Sequence, residues 1–251
     1  MTHMATIRII ISFILFFPFL LASVFYALIP ESLLRLFHAE KAADKWTCHC
    51  AAFTSDVLLF LLGVSVKVDG RENLPGRDER VCYIANHQSN LDIPSLFGKA
   101  KLHARIITKI ELRKVPILNW WCDAMHCIYI DRKSARSSVK AILDGIEAIK
   151  HGKPAMVFPE GTRSKTGKIA EFKAGSFKLA TRPDALIVPI CLYGTREGLE
   201  SRKKLGSVHA YLSILPSIDT SSMSEEEKNN VHLVVQNAVM ARYDELSKLH
   251  G

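Results

Sequence analysis

The sequence predicts an α/β fold, a mostly parallel sheet covered by helices on both faces, preceded by an N-terminal membrane-associated helical segment. Three observations carry this. Short, nearly all-apolar runs recur through residues 63–251 with helix-period segments between them, as buried parallel strands and crossover helices require. The run 9–30 contains no charged residue. At 251 residues, 48% apolar and 23% charged, the chain is long enough to bury a core and too apolar for disorder.

We read residues 1–62 as the membrane-anchoring helical segment and 63–251 as the α/β domain. A helix of 22 residues reaches about 33 Å, one bilayer hydrocarbon core. The run is too long for the apolar region of a signal peptide, and no small-x-small cleavage site follows before Glu31. Pro18 predicts a kink. A kinked span, a re-entrant hairpin and an interfacial helix all fit the pattern. A second apolar stretch, 46–66, carries Asp56 as its one formal charge. Between them, residues 31–45 mix Leu33, Leu34, Leu36 and Phe37 with Arg35, Lys41 and Lys45, as an amphipathic helix at a membrane surface or a core helix would. Basic residues beyond the first apolar run favour a body on the cytoplasmic side of an inner, cytoplasmic membrane.

The net charge of +8 points to an anionic partner: nucleic acid, an anionic membrane surface or a phosphorylated small molecule. No aromatic stacking platform is interleaved with the basic residues, which argues against nucleic acid. Six cysteines make no disulfide framework in a chain of this size. Cys48-His49-Cys50 and the group Cys122, His126 and Cys127 lack paired C-x2-C spacing, so reduced thiols are expected rather than a metal site.

The elements follow in order. Residues 64–68 alternate as a strand, and Asn73-Leu74-Pro75-Gly76 is a turn. Strands are expected at 81–85, 104–108, 127–130, 155–158, 186–192 and 208–215, with helices at 93–97, 117–124, 135–150 and 176–180. Val139, Ile142, Ile146 and Ile149 give the third helix its period. Pro189 marks an edge or a bulge. A last helix starts near Ser224, where Ser224 and Glu227 make a capping box.

Directly after the 81–85 strand comes Asn86-His87-Gln88-Ser89-Asn90-Leu91-Asp92. On one continuous helix, side chains five residues apart point about 140° away from each other. His87 and Asp92 can meet only if the first sits on the turn and the second in the opening helical turn, with Ser89 or Asn90 as N-cap. That corner, at the C-terminal end of a strand, is where open α/β sheets bind ligands. A neutral imidazole there can take a proton from an attacking hydroxyl while the carboxylate fixes its tautomer. The plainer reading is a surface turn whose His and Asp cap a helix.

The 155–158 strand runs into Pro159-Glu160-Gly161-Thr162-Arg163-Ser164, with Lys165, Lys168 and Lys173 beyond. Backbone amides around a glycine, two hydroxyls and an arginine suit a phosphate. Glu160 is unexpected there; bonding a polyol hydroxyl or holding Arg163 are its two uses. Lys109 ends another strand at the ligand edge. A solvated basic loop and an ordinary turn are the alternatives for these two blocks.

These blocks, in this order, resemble the glycerolipid acyltransferase family. The likeness rests on Asn86-His87-x4-Asp92, Lys109-x-Glu111-Leu112 with Pro116 and Trp120, Ile128-Tyr129-Ile130-Asp131-Arg132, Phe158-Pro159-Glu160-Gly161-Thr162-Arg163-Ser164 and Val188-Pro189-Ile190. It covers roughly residues 65–215. The resemblance implies an enzyme that moves a fatty acyl group from acyl-CoA or acyl carrier protein to the 2-hydroxyl of lysophosphatidic acid, giving phosphatidic acid, with no cofactor or metal and no acyl-enzyme. His87 would be the general base and Asp92 its orienting partner. Glu160, Gly161, Thr162 and Arg163 would bind the glycerol phosphate, with Lys109 reaching the same group. One position departs from the pattern: Asn119 precedes Trp120 where the family often has Gly. Another lysolipid or glycerol 3-phosphate as acceptor, thioester hydrolysis, and a non-catalytic lipid-binding protein are the competing readings.

Overall fold

The computed structural model describes residues 3–76, 79–203 and 205–250, the side chain of Met4 apart. Helix α1 (His3–Ser23) runs on through Pro18, a π-helical turn (Val24–Leu28) follows, and α2 (Ile29–Leu36) ends the first arm. Pro18 lies inside α1, and the π-helical turn begins beyond it at Val24. The stretch Ala5–Leu36 is long and apolar enough to cross a membrane. Ile14, Phe17, Phe25 and, on the next helix, Phe53 and Phe60 lie exposed, which fits membrane association.

The amphipathic helix expected at 31–45 does not form as one piece. The chain turns at Phe37–Ala39, where His38 takes a φ of 55°, and α3 (Glu40–Leu62) runs back. Arg35 supplies the reason: it bonds Glu31, Glu40 and Asp44 together, and these can surround one guanidinium only if the chain reverses. The second apolar stretch becomes most of α3 and then a strand. Gly63 (φ 63°) closes the helix in the left-handed conformation that glycine adopts without strain.

The remaining elements are β1 (Val64–Asp69), β2 (Val81–Ala85), the single turn α4 (Asp92–Pro94), β3 (Arg105–Lys109), α5 (Leu118–Ala124), β4 (Ile128–Ile130), α6 (Ala135–Lys150), β5 (Ala155–Val157), α7 (Ala174–Thr181), β6 (Leu186–Tyr193), α8 (Thr195–Gly198), β7 (Val208–Ile214), β8 (Ile218–Asp219) and α9 (Glu225–His250). Among the described residues the strands form one sheet ordered β1-β7-β6-β2-β5-β3-β4, with β8 paired to β6. Pairing is parallel except for β6 with β7 and with β8, so the predicted mostly parallel α/β class holds. Pro189 is not on an edge strand. It sits in β6 where the neighbour changes from β8 to β7, so its missing N–H falls at a gap between ladders.

One sheet face packs on α6, α7 and α9 through Ile146, Ile149, Phe177, Leu179, Val235 and Val239. The opposite face packs on Leu96 and Phe97 and the segment around them. The N-terminal helices close over that second face: α3 packs against the turn Ser95–Lys99, and its end joins Leu59 and Leu62 to Val64 and Leu91. Ala27, Leu28 and Ala51 seat the hairpin on Trp121 and Ala124 of α5. The capping box forms as expected, Ser224 and Glu227 bonding reciprocally at the start of α9.

Candidate active site

Every residue of β2 is buried, and Asn86 follows its last residue, Ala85. The Asn86 amide donates to the Leu192 carbonyl at 2.9 Å and accepts from the Leu192 N–H at 2.7 Å. It extends the β2–β6 ladder by one side-chain unit, so the turn that follows starts from a fixed point. Within that turn His87 Nδ1 lies 2.7 Å from Asp92 Oδ2. The same oxygen accepts the backbone N–H groups of Gln88 (2.7 Å) and Ser89 (2.9 Å), and Oδ1 accepts the Thr195 hydroxyl at 2.6 Å. Asp92 is fully buried.

A carboxylate so surrounded by donors acts as the acceptor toward the imidazole. Nδ1 therefore carries the ring proton, and Nε2 is left with its lone pair. Ser89 and Asn90 do not cap the helix as expected. Leu91 holds the N-cap position without a side-chain bond, and the Ser89 hydroxyl instead accepts the Leu91 N–H and donates to Glu200.

The loop after β5, the parallel neighbour of β2, meets this turn. The His87 ring stacks on Phe158 at 4.0 Å between centroids. The Ser164 N–H donates to the His87 carbonyl at 2.9 Å. Glu160 points inward: Oε1 accepts the His87 N–H at 2.6 Å and Oε2 the Ala170 N–H at 2.9 Å. Of the two uses expected for Glu160, holding Arg163 gives way to this pairing, because buried backbone amides need an acceptor. Burial raises the Glu160 carboxyl above its ordinary pKa, with both amides pulling the other way. Gly161, at a φ of 75°, turns the chain past the Lys173 ammonium.

Arg163 is held instead by Glu200, at 2.9 Å. Glu200 also accepts the Asn90 N–H at 2.8 Å and the Ser89 hydroxyl at 2.5 Å, so one carboxylate joins both loops. Thr162 and Arg163 are exposed beside them. Lys109 ends β3, two strands from β2, exposed and without an ion pair among the described residues. Sequence reasoning singled out His87, Asp92 and the 159–164 loop, and missed Glu200, Thr195 and the stacking role of Phe158. No local pattern marks Glu200 or Thr195, which come from over 100 residues downstream of the turn they support.

Beside Asn90 and Leu91, an apolar cavity of about 610 Å³ opens between the sheet and the N-terminal helices, lined by Phe16, Leu20, Leu58, Phe97 and Trp121. It can take an aliphatic chain. All six cysteines are free thiols.

The family model described as "Acyltransferase" matches residues 65–193. A chloroplastic 1-acyl-sn-glycerol-3-phosphate acyltransferase of Arabidopsis thaliana is 38% identical over 130 residues, 52% of this chain and 36% of that protein. A Borreliella burgdorferi protein of the same description is 29% identical over 189 residues, 75% of each chain. The matched region thus spans about a third of the plant relative. The crystal structure of the 1-acyl-sn-glycerophosphate (LPA) acyltransferase PlsC from Thermotoga maritima superposes with a TM-score of 0.79 at 29% identity, over 97% of this chain and 98% of that one.

Proposed function

This chain belongs to the acyltransferase family, and from that membership we propose that it moves a fatty acyl group from a thioester carrier to the sn-2 hydroxyl of 1-acyl-glycerol 3-phosphate, giving phosphatidic acid. The observation that carries the chemistry is the His87–Asp92 contact of 2.7 Å, with the carboxylate sealed among donors and the imidazole side chain 12% exposed. The acceptor is the one named for the relatives and the superposed structure.

The step runs as direct transfer. Nε2 of His87 takes the hydroxyl proton as the oxygen attacks the thioester carbonyl carbon, and Asp92 stabilises the imidazolium. The tetrahedral centre collapses, the C–S bond breaks, and the imidazolium proton goes to the departing thiolate. Arg163, Thr162, the Gly161 backbone and Lys109 take the acceptor phosphate. Glu160 acts as a positioning residue for the His87 backbone. The apolar cavity beside Leu91 receives an acyl chain, entering from the bilayer side. The membrane is the cytoplasmic one with the body on its cytoplasmic face; six free thiols suit a reducing compartment and a net charge of +8 suits an anionic surface.

The test is an assay of the full-length protein in vesicles with acyl-CoA or acyl carrier protein thioester, with and without lysophosphatidate. Thiol release that depends on the acceptor, with phosphatidic acid as product, is the expected result. Thiol release independent of the acceptor would make the protein a thioesterase, and none at all would remove the reading.

A further inference from the structure

Helix α5 closes through His126, which takes a φ of 53°. The Cys127 N–H donates to the Cys122 carbonyl at 2.8 Å, and the His126 N–H to the Asp123 carbonyl at 2.9 Å. These two bonds make a Schellman motif, which sets a side chain of the last helical turn against the one just past the reversal. Two apolar groups commonly meet there. Here two thiols do: Cys122 and Cys127 hydrogen-bond to each other. Both are half-buried, and both line the apolar cavity of about 610 Å³ beside Trp121 and Met125. The hydrogen bond from Cys127 holds the Cys122 thiol below its ordinary pKa; burial opposes this and the Tyr129 hydroxyl supports it. Cys127 is pushed well above the ordinary value by the same bond and by burial. Cys122 is thus the readier nucleophile of the two. Cys82 and Cys191, by contrast, are fully buried in the sheet, and burial raises both.

We propose that Cys122 and Cys127 form a redox-sensitive modification site, closing to a disulfide when a hydroperoxide enters the apolar cavity. Neither the thiols nor the cavity requires acyl transfer for this chemistry. The Cys122 thiolate attacks the distal oxygen of the hydroperoxide. The S–O bond forms as the O–O bond breaks, and the departing alkoxide takes up the proton that Cys122 lost, leaving as the alcohol. The Cys127 sulfur then attacks the Cys122 sulfur. The S–S bond forms, the S–O bond breaks, and the hydroxide leaves as water with the Cys127 proton. Two thiols and one hydroperoxide give one disulfide, one alcohol and one water. The backbone bond between the two residues already closes the short loop that the disulfide would span, so bridging orders little further chain. An aliphatic hydroperoxide, such as a peroxidised acyl chain, gains from the apolar walls. Hydrogen peroxide offers the same O–O bond without that gain.

The experiment treats the full-length protein in phosphatidylcholine vesicles with linoleic acid hydroperoxide or with hydrogen peroxide, then digests it with trypsin without reductant. The tryptic peptide 115–132 carries Cys122 and Cys127 and no other cysteine. It should lose two hydrogens and regain them with dithiothreitol, while Cys82 and Cys191 stay open to alkylation after denaturation. At equal concentration the lipid hydroperoxide should react about tenfold or more faster than hydrogen peroxide, because its chain is held by the cavity. In Cys127→Ser, dimedone should trap a sulfenic acid on Cys122; in Cys122→Ser, Cys127 should stay unlabelled. The peptide mass needs no substitution, so it decides the matter even where a variant fails to fold. A peptide that keeps all its hydrogens, a bridge from either thiol to another cysteine, or dimedone on Cys127 would overturn the site. Equal rates for the two peroxides would overturn the part given to the cavity.

Discussion

Glu200 grips Arg163 at 2.9 Å with the same carboxylate that holds Ser89 and Asn90 of the His87 turn. The loop that carries the cation and the loop that carries the base are thereby one unit. Replacing Glu200 with Ala should lower kcat/KM by about 10–100-fold, because a displacement of about 1 Å in a reacting group costs up to about 100-fold. Stability should fall by about 1–3 kcal/mol as well, because the Ser89 hydroxyl and the Asn90 N–H lose their acceptor along with the ion pair. Steady-state kinetics beside thermal melts would decide it; activity near wild type would show the two loops hold their places without Glu200.

Among the described residues Arg163 gives one nitrogen to Glu200, and its other donors suit a bidentate grip, which lysine cannot copy. Arg163→Lys should raise the acceptor KM about tenfold, roughly 1.4 kcal/mol, with the donor KM unchanged. Equal loss for both substrates would count against a phosphate role.

His87 and Asp92 should separate in their effects. His87→Ala removes the base and should cut turnover by roughly 10²–10⁴-fold while leaving the melting curve in place. Asp92→Asn puts an N–H₂ among the donors of Gln88, Ser89 and Thr195, so it should cost about 1–3 kcal/mol of stability as well as rate. Chemical denaturation of both variants would show whether only the second unfolds early.

Glu160 gives a pH signature. Its carboxyl is raised by burial, so the folded protein holds that proton more tightly than the unfolded chain does. The destabilisation is absent below the ordinary pKa and complete above the raised one, so stability falls as pH climbs between them. Against Glu160→Gln, which does not titrate, the difference in urea midpoints should move toward the variant across that interval and stay flat on either side. Movement toward the wild type would mean that the two amide bonds outweigh burial.

Arg202 is fully buried and donates to the carbonyls of Leu62, Gly198 and Gly206. It ties the end of α3 to the segment after α8. Arg202→Met keeps the apolar stem but orphans those oxygens, and should cost about 3–5 kcal/mol, read from denaturant midpoints. A loss under half of that would mean water replaces the guanidinium.

The alternation of strands and helices, the capping box at Ser224 and the candidate pair His87 and Asp92 were all legible in the sequence. Each is written in residues adjacent or a few positions apart, where backbone geometry and side-chain period act directly. The reversal at Phe37–Ala39 was not legible, because it depends on Arg35 gathering acids from both sides of the turn. Nor was the inward turn of Glu160 toward the His87 amide, or the part played by Glu200 and Thr195. Those contacts join residues 73 to 110 positions apart. A short motif fixes which chemical groups are present, but only the packed sheet brings distant donors and acceptors within bonding distance. It does so because buried polar groups must find partners wherever the fold delivers them.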